Sequence, residues 1–206
     1  MSFILLVEGS DDLHVTKHVL LANGVSLQID EQVKDCGGIT KLLDEVLPAT
    51  LNGGSHGAIG VIVDADTNIA ARWQMLRHRL GQAGFDVPAE ADAAGTIFTT
   101  PRVAGVWIMP DNHLPGAVED FIEQLIPDGD ALWPICRNAV AAIPQELRRF
   151  ASSATLKAEL HTYLAWQEEP GTPYGSAIAK RYLSAGGPNA AAFVAWVERL
   201  RELSQD

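Results

Sequence analysis

The sequence predicts an α/β fold: a mostly parallel sheet flanked by helices over residues 1–112, with a helical extension over residues 113–206 packed on it. Short apolar runs rich in strand formers alternate with stretches of helical periodicity, which implies parallel pairing through right-handed crossovers. Three of those runs end in a carboxylate, and beyond Asn112 the strand signal vanishes.

Residues 3–7 form an apolar run that suits a strand buried on both faces. Ser10 or Asp11 then caps a helix over residues 10–22, ended by Asn23-Gly24. A more polar strand is expected around residues 27–33, then a Gly37-Gly38 turn and a helix over 39–51. The clearest strand is 58–63, which stops at Asp64. Residues 68–84 place Ile69, Trp73, Leu76 and Leu80 at helical spacing. Two further β-like runs, 96–99 and 103–109, complete the sheet. The extension is broken by prolines and glycines near 127, 144, 170–173 and 186–188. Its last helix, 189–203, carries Phe193, Trp196, Val197, Leu200 and Leu203 on one core-facing stripe.

The 206 residues carry a formal net charge of −11, which argues against a protein that coats nucleic acid by electrostatics alone. It does not exclude a nuclease, because metal ions at an acidic site supply positive charge where a phosphate sits. Lys180 and Arg181, with Lys157, are the local cations expected to contact nucleic acid. Residues 3–7 are followed at once by Glu8 and two aspartates, so they are neither a signal peptide nor a membrane span, and a cytoplasmic address is expected. Cys36 and Cys136 are far apart in sequence and read as packing thiols.

Chemistry enters through the acids. The runs Val7-Glu8, Val63-Asp64-Ala65-Asp66 and Met109-Pro110-Asp111 should converge, because all carboxyl ends of a parallel sheet lie on one edge. Any one of these acids alone is an ordinary cap or turn residue. Crowded together they repel unless a cation lies between them, and oxygen-only ligation points to Mg2+ or Mn2+ rather than zinc. Asp64 and Asp66 are expected to point the same way from an extended strand end. Asp12, four residues beyond Glu8, reaches the same cluster or a second ion. A two-ion arrangement would activate water and neutralise the leaving oxyanion of a phosphodiester.

The segment Val7-Glu8-Gly9-Ser10-Asp11-Asp12, followed by Gly37-Gly38 and, about 55 residues after Glu8, by Val63-Asp64-Ala65-Asp66, resembles the Toprim domain. That domain occurs in topoisomerases, primases, recombination proteins, small nucleases and the OLD (overcoming lysogenisation defect) nucleases. The resemblance covers residues 1–112 and implies a Toprim-like, Rossmann-like sheet. It further implies Glu8 at the scissile phosphate as acid, base or ligand, and Asp64 and Asp66 as metal ligands. At a third position where the family often has aspartate, this chain has Asn68, which favours one dominant ion. The stretches 106–121 and 164–170 are similar to a bacterial family of stand-alone Toprim-related proteins. In OLD-type nucleases a further acid and a lysine complete the site, and Glu119 and Lys157 are the candidates here, with Lys157 also fitting an ordinary surface role.

His14 and His18 have the i, i+4 spacing of a zinc pair but no third ligand, and read as surface or cap residues, while His113 is expected to line the cleft. No phosphate loop of the Gly-x-x-x-x-Gly-Lys-Ser/Thr type occurs, so ATP hydrolysis would need an ATPase partner protein. The reading is a Mg2+- or Mn2+-dependent nuclease on DNA or RNA, acting alone or as a homodimer. Primase-type nucleotidyl transfer and a non-catalytic docking module in a repair or defence complex stand as alternatives.

Overall fold

The computed structural model describes residues 3–27 and 33–204. Five strands, β1 (Phe3–Val7), β2 (Val33–Asp35), β3 (Ala58–Asp64), β4 (Thr96–Phe98) and β5 (Val103–Met109), form one sheet in the order β2-β1-β3-β5-β4. The first four in that order run parallel, which makes the chain a Rossmann-like α/β fold. β4 departs from the expected parallel pairing and lies antiparallel on β5. Only residues 99–102 separate the two, too few for a crossover. Of the strand expected over 27–33, residues 28–32 lie outside the described residues, and β2 begins at Val33.

Strict alternation along the strands divides the core in two. Phe3, Leu5 and Val7 of β1, Ala58 and Ile62 of β3, and Trp107 and Met109 of β5 face one layer. Ile4 and Leu6, with Ile59, Val61 and Val63 and with Ala104, Val106 and Ile108, face the other.

The second layer consists of two helices. α2 runs from Ile39–Lys41 through a π-helical turn, Leu42–Val46, into Leu47–Gly53, and α3 is Ile69–Gln82. The widened turn lies just ahead of Pro48, which lacks an N–H and whose ring would press on the carbonyl one turn back in a regular helix.

The first layer is α1 (Ser10–Ala22) together with the helices of the extension: α4 (Val118–Glu123), α5 (Leu132–Ala141), α6 (Thr155–Ala165), α7 (Tyr174–Ala179) and α8 (Pro188–Leu203). These helices share one hydrophobic cluster with β1, β3 and β5. The sheet makes room for α8 at Gly60 and Gly105, which are paired across β3 and β5. A Cβ on Gly60 would stand 2.4 Å from Leu5 Cδ2 and 2.9 Å from Leu200 Cδ2; one on Gly105 would stand 3.1 Å from the Trp196 ring. Cys36 and Cys136 are both buried free thiols. No described helix is long and apolar enough to cross a membrane.

Topology positions the site. From β1 the chain moves to β2 on one side, then returns to lay β3 and β5 on the other. The carboxyl ends of β1 and β3 therefore flank the switch point of the sheet, where open α/β folds form their binding crevice.

Candidate metal centre

Glu8 follows the last residue of β1 and Asp64 is the last of β3. Glu8 Oε1 accepts the backbone N–H of Asp64 at 2.8 Å, so its side chain is turned across the switch point. Its backbone is pinned as well: Glu8 O accepts from Gly38 N–H at 2.7 Å. Gly38 has φ +107°, a conformation that side-chain-bearing residues rarely adopt, which explains the glycine there.

Asp12 stands at the third residue of α1, where its Oδ2 accepts the Gly9 N–H at 3.2 Å and caps the helix. The residue is 5% exposed, and its Oδ1 has no hydrogen-bond partner in the protein. Asp64 Oδ1 is likewise buried and unpartnered.

Burial, then repulsion from Asp12, Glu8, Glu119 and Asp66, pushes the Asp64 carboxyl up to about 9. Burial and the neighbouring Glu8 push Asp12 up to about 7. Glu8 is raised too by burial, though the Asp64 N–H and the Arg72 guanidinium pull against it. Three acids, Asp64, Asp12 and Glu8, thus stand above the ordinary carboxylate range, chiefly through burial and then through their neighbours' charge.

Asp66 differs from expectation. It has φ +51°, so the chain leaves the extended conformation on which the expected common direction of Asp64 and Asp66 rested. The Asp66 side chain is 64% exposed and paired with Arg72, which is itself buried. Backbone bonds at 2.8 Å in both directions between Asp66 and Gly116 tie this turn to the loop after β5. Asn68 Oδ1 accepts from Ala71 N–H at 3.0 Å and caps α3, so its oxygen is already engaged.

That loop delivers Glu119. Asp120 Oδ2 caps α4 at the Ala117 N–H (2.7 Å), which sets Glu119 in the first turn facing α6. Lys157 Nζ, on α6, lies 2.8 Å from Glu119 Oε1 and 3.2 Å from Asp11 Oδ2. The lysine and glutamate chosen from the sequence therefore meet, and Asp11 completes the group.

Three expected residues fall elsewhere. Asp111 does not join the acids: its Oδ1 accepts from His113 N–H at 2.9 Å and Leu114 N–H at 2.7 Å, the bonds of a tight turn, and it raises none of the shifted carboxyls. Lys180 is paired with Glu169. Arg181 sits beside Ala22 and Asn23 at the far end of α1, about 15–18 Å along the helix from its acidic first turn at 1.5 Å per residue. Neither cation borders the site, because α7 lies along α1 with its C-terminus at the opposite edge of the sheet.

Sequence reasoning missed Arg72 and Asp11. Arg72 had a readable signal: it stands four residues before Leu76 and next to Trp73, on the buried stripe of α3, where an unpaired cation is costly. Asp11 carried no signal beyond its place in an N-terminal turn.

Among the described residues, no group of three or more His, Cys, Asp or Glu side chains forms a ready coordination sphere as the side chains stand. Backbone N–H groups engage one oxygen each of Glu8 and Asp12, and Arg72 engages Asp66. The oxygens left over, above all the buried Oδ1 atoms of Asp12 and Asp64, are hard donors without a partner in the protein. Such a donor set fits Mg2+ or Mn2+.

A family model described as "Protein of unknown function (DUF3226)" matches residues 2–202, so the chain belongs to that family over nearly its whole length. No curated protein and no solved structure matches the chain.

Proposed function

We propose that this member of the DUF3226 family is a metal-dependent phosphodiester hydrolase of Toprim type, a nuclease acting on DNA or RNA. The observation that carries the reading is the burial of unpartnered carboxylate oxygens on both Asp12 and Asp64 near the switch point, where Asp12 and Glu8 repel the Asp64 carboxylate. Such crowding is unfavourable in the bare protein and is relieved by a hard cation.

Glu8, Asp12 and Asp64 would hold the ion, with Asp66 and Glu119 at its margin. When bound, Mg2+ or Mn2+ supplies a Lewis acid that neutralises phosphate charge and lowers the pKa of water. Glu8, with Oε1 fixed by the Asp64 N–H, has its second oxygen left to take a proton from attacking water. Lys157 has three N–H donors, of which Glu119 and Asp11 use two. The third is left to grip a phosphate oxygen.

A second reading, the non-catalytic docking module, is favoured by one specific observation: Glu8, Asp12 and Asp66 each already make a structural bond. Incubating labelled single- and double-stranded DNA and RNA with Mg2+ or Mn2+ separates the two. Cleavage by the native chain and none by Asp64→Asn is the expected result. Cleavage that survives Asp64→Asn contradicts the nuclease reading, and no cleavage of any substrate supports docking.

A further inference from the structure

A cleft of about 350 Å³ opens beside the first two turns of α3. Ile69, Ala70, Trp73 and Gln74 line it from the helix, Glu90 from the following loop, and Asn112 from the turn after β5. The volume lies in the range of small-molecule sites.

Its position ties it to the acids. Ile69 is three residues beyond Asp66, no more than about 11 Å of chain. The turn holding Asn112 leads into Gly116, whose backbone bonds to Asp66 join the two walls.

Its chemistry is that of a flat, edge-polar ligand. Ile69 and the buried Trp73 give an apolar floor, and the indole is fixed because Nε1 donates to Pro88 O at 3.1 Å. Asn112 is 5% exposed; its Oδ1 accepts the Ile108 N–H at 2.7 Å, while its Nδ2 has only a 3.5 Å contact with Ala93 O. At least one amide hydrogen is thus left for a ligand. Gln74 adds both a donor and an acceptor at the rim. No lining residue is Lys or Arg, so the cleft itself is not built for phosphate.

We propose that this cleft receives a nucleobase of the strand whose phosphate lies at the acid cluster, an inference that rests on the phosphodiester reading. Asn and Gln amides match base edges, and apolar and aromatic side chains pack against base faces. Base and phosphate would be gripped on either side of the Asp66 turn, and the scissile position would be set by the fit of the flanking base.

The test is a titration of the full ¹⁵N-labelled chain with adenosine, guanosine, cytidine and uridine, without metal, read by ¹H–¹⁵N NMR. Shifts are expected at the Ile69, Gln74 and Glu90 amides and the Trp73 indole N–H. Ala70→Trp, at an exposed helical position, should fill the cleft and abolish them. Gln74→Ala, also exposed, should weaken binding about fivefold or more, the loss of one base-edge contact. No shift with any nucleoside, shifts centred elsewhere, or shifts unchanged in Ala70→Trp would overturn the proposal. Metal-dependent cleavage with no nucleoside binding defeats the cleft alone; nucleoside binding here with no cleavage of any substrate upholds the cleft and defeats the nuclease reading.

Discussion

Glu8 Oε1 and the backbone N–H of Asp64 are hydrogen-bonded at 2.8 Å, so the side chain that follows β1 clasps the end of β3. Gln at position 8 keeps an oxygen for that N–H and removes one of the clustered negative charges, whereas Ala leaves the N–H unpaired. Chemical denaturation of the metal-free protein should therefore find Glu8→Gln more stable than Glu8→Ala by about 1–2 kcal/mol. In the cleavage assay Glu8→Gln should lose about 100-fold or more, as expected when a proton acceptor is neutralised.

Stability should fall as pH rises in the absence of metal. Asp64 and Asp12 keep their protons in the folded chain up to about 9 and 7, but ionise near 3.8 when unfolded. The native state then binds more protons between about pH 4 and pH 9, and stability present at the low end is lost across that window. Asp64→Asn removes the most perturbed group, so its melting temperature without metal should exceed that of the native chain at pH 8 and match it near pH 4.

Binding of Mn2+ at pH 7 should release protons, since the ligands must be ionised to coordinate. Calorimetric titrations in buffers of different ionisation enthalpy measure that release directly. Affinity should rise with pH up to about 9, and buffer-independent heats would speak against the protonated cluster.

The Asp66–Arg72 pair is asymmetric: the acid's side chain is 64% exposed and the arginine's is 7% exposed. Removing Asp66 strands a buried guanidinium, whereas removing Arg72 leaves a solvated carboxylate. Asp66→Ala should thus destabilise the fold more than Arg72→Met, and the reverse order in urea midpoints would show that the pair is not buried as described.

Gly60→Ala should destabilise the fold by about 1–3 kcal/mol, because its Cβ would meet Leu5 and Leu200 below contact distance in a filled core. Gly105→Ala, with contacts of 3.1 Å or more, should be milder. Since α8 supplies Leu200 and Trp196 to the same cluster as β1 and β3, a fragment of residues 1–112 should show no cooperative unfolding transition.

How much of this was legible in the sequence depends on the range of the interaction. The apolar runs of β1, β3 and β5, the helical stretches between them and the acids at their ends are local patterns, so the parallel sheet and the places of Glu8, Asp12 and Asp64 could be read directly. The antiparallel β4 could have been read from the shortness of the 99–102 connection, which sequence reasoning passed over. Asp66 and Asp111 carried the same local signal as Asp64, but their fates were decided by partners: a left-handed turn with Arg72 for one, two turn N–H groups for the other. Lys157 and Glu119 meet through the packing of α4 on α6, which no spacing encodes. Lys180 and Arg181 failed as substrate contacts for the same reason, since only the path of α7 along α1 reveals which sheet edge they occupy.

Anomalous diffraction from crystals grown with Mn2+ tests the central claim most directly. A peak among the carboxylates of Glu8, Asp12 and Asp64, lost in Asp64→Asn, is the expected result. Clean maps at high Mn2+ with those three side chains unmoved, or a peak confined to some other part of the surface, would contradict it.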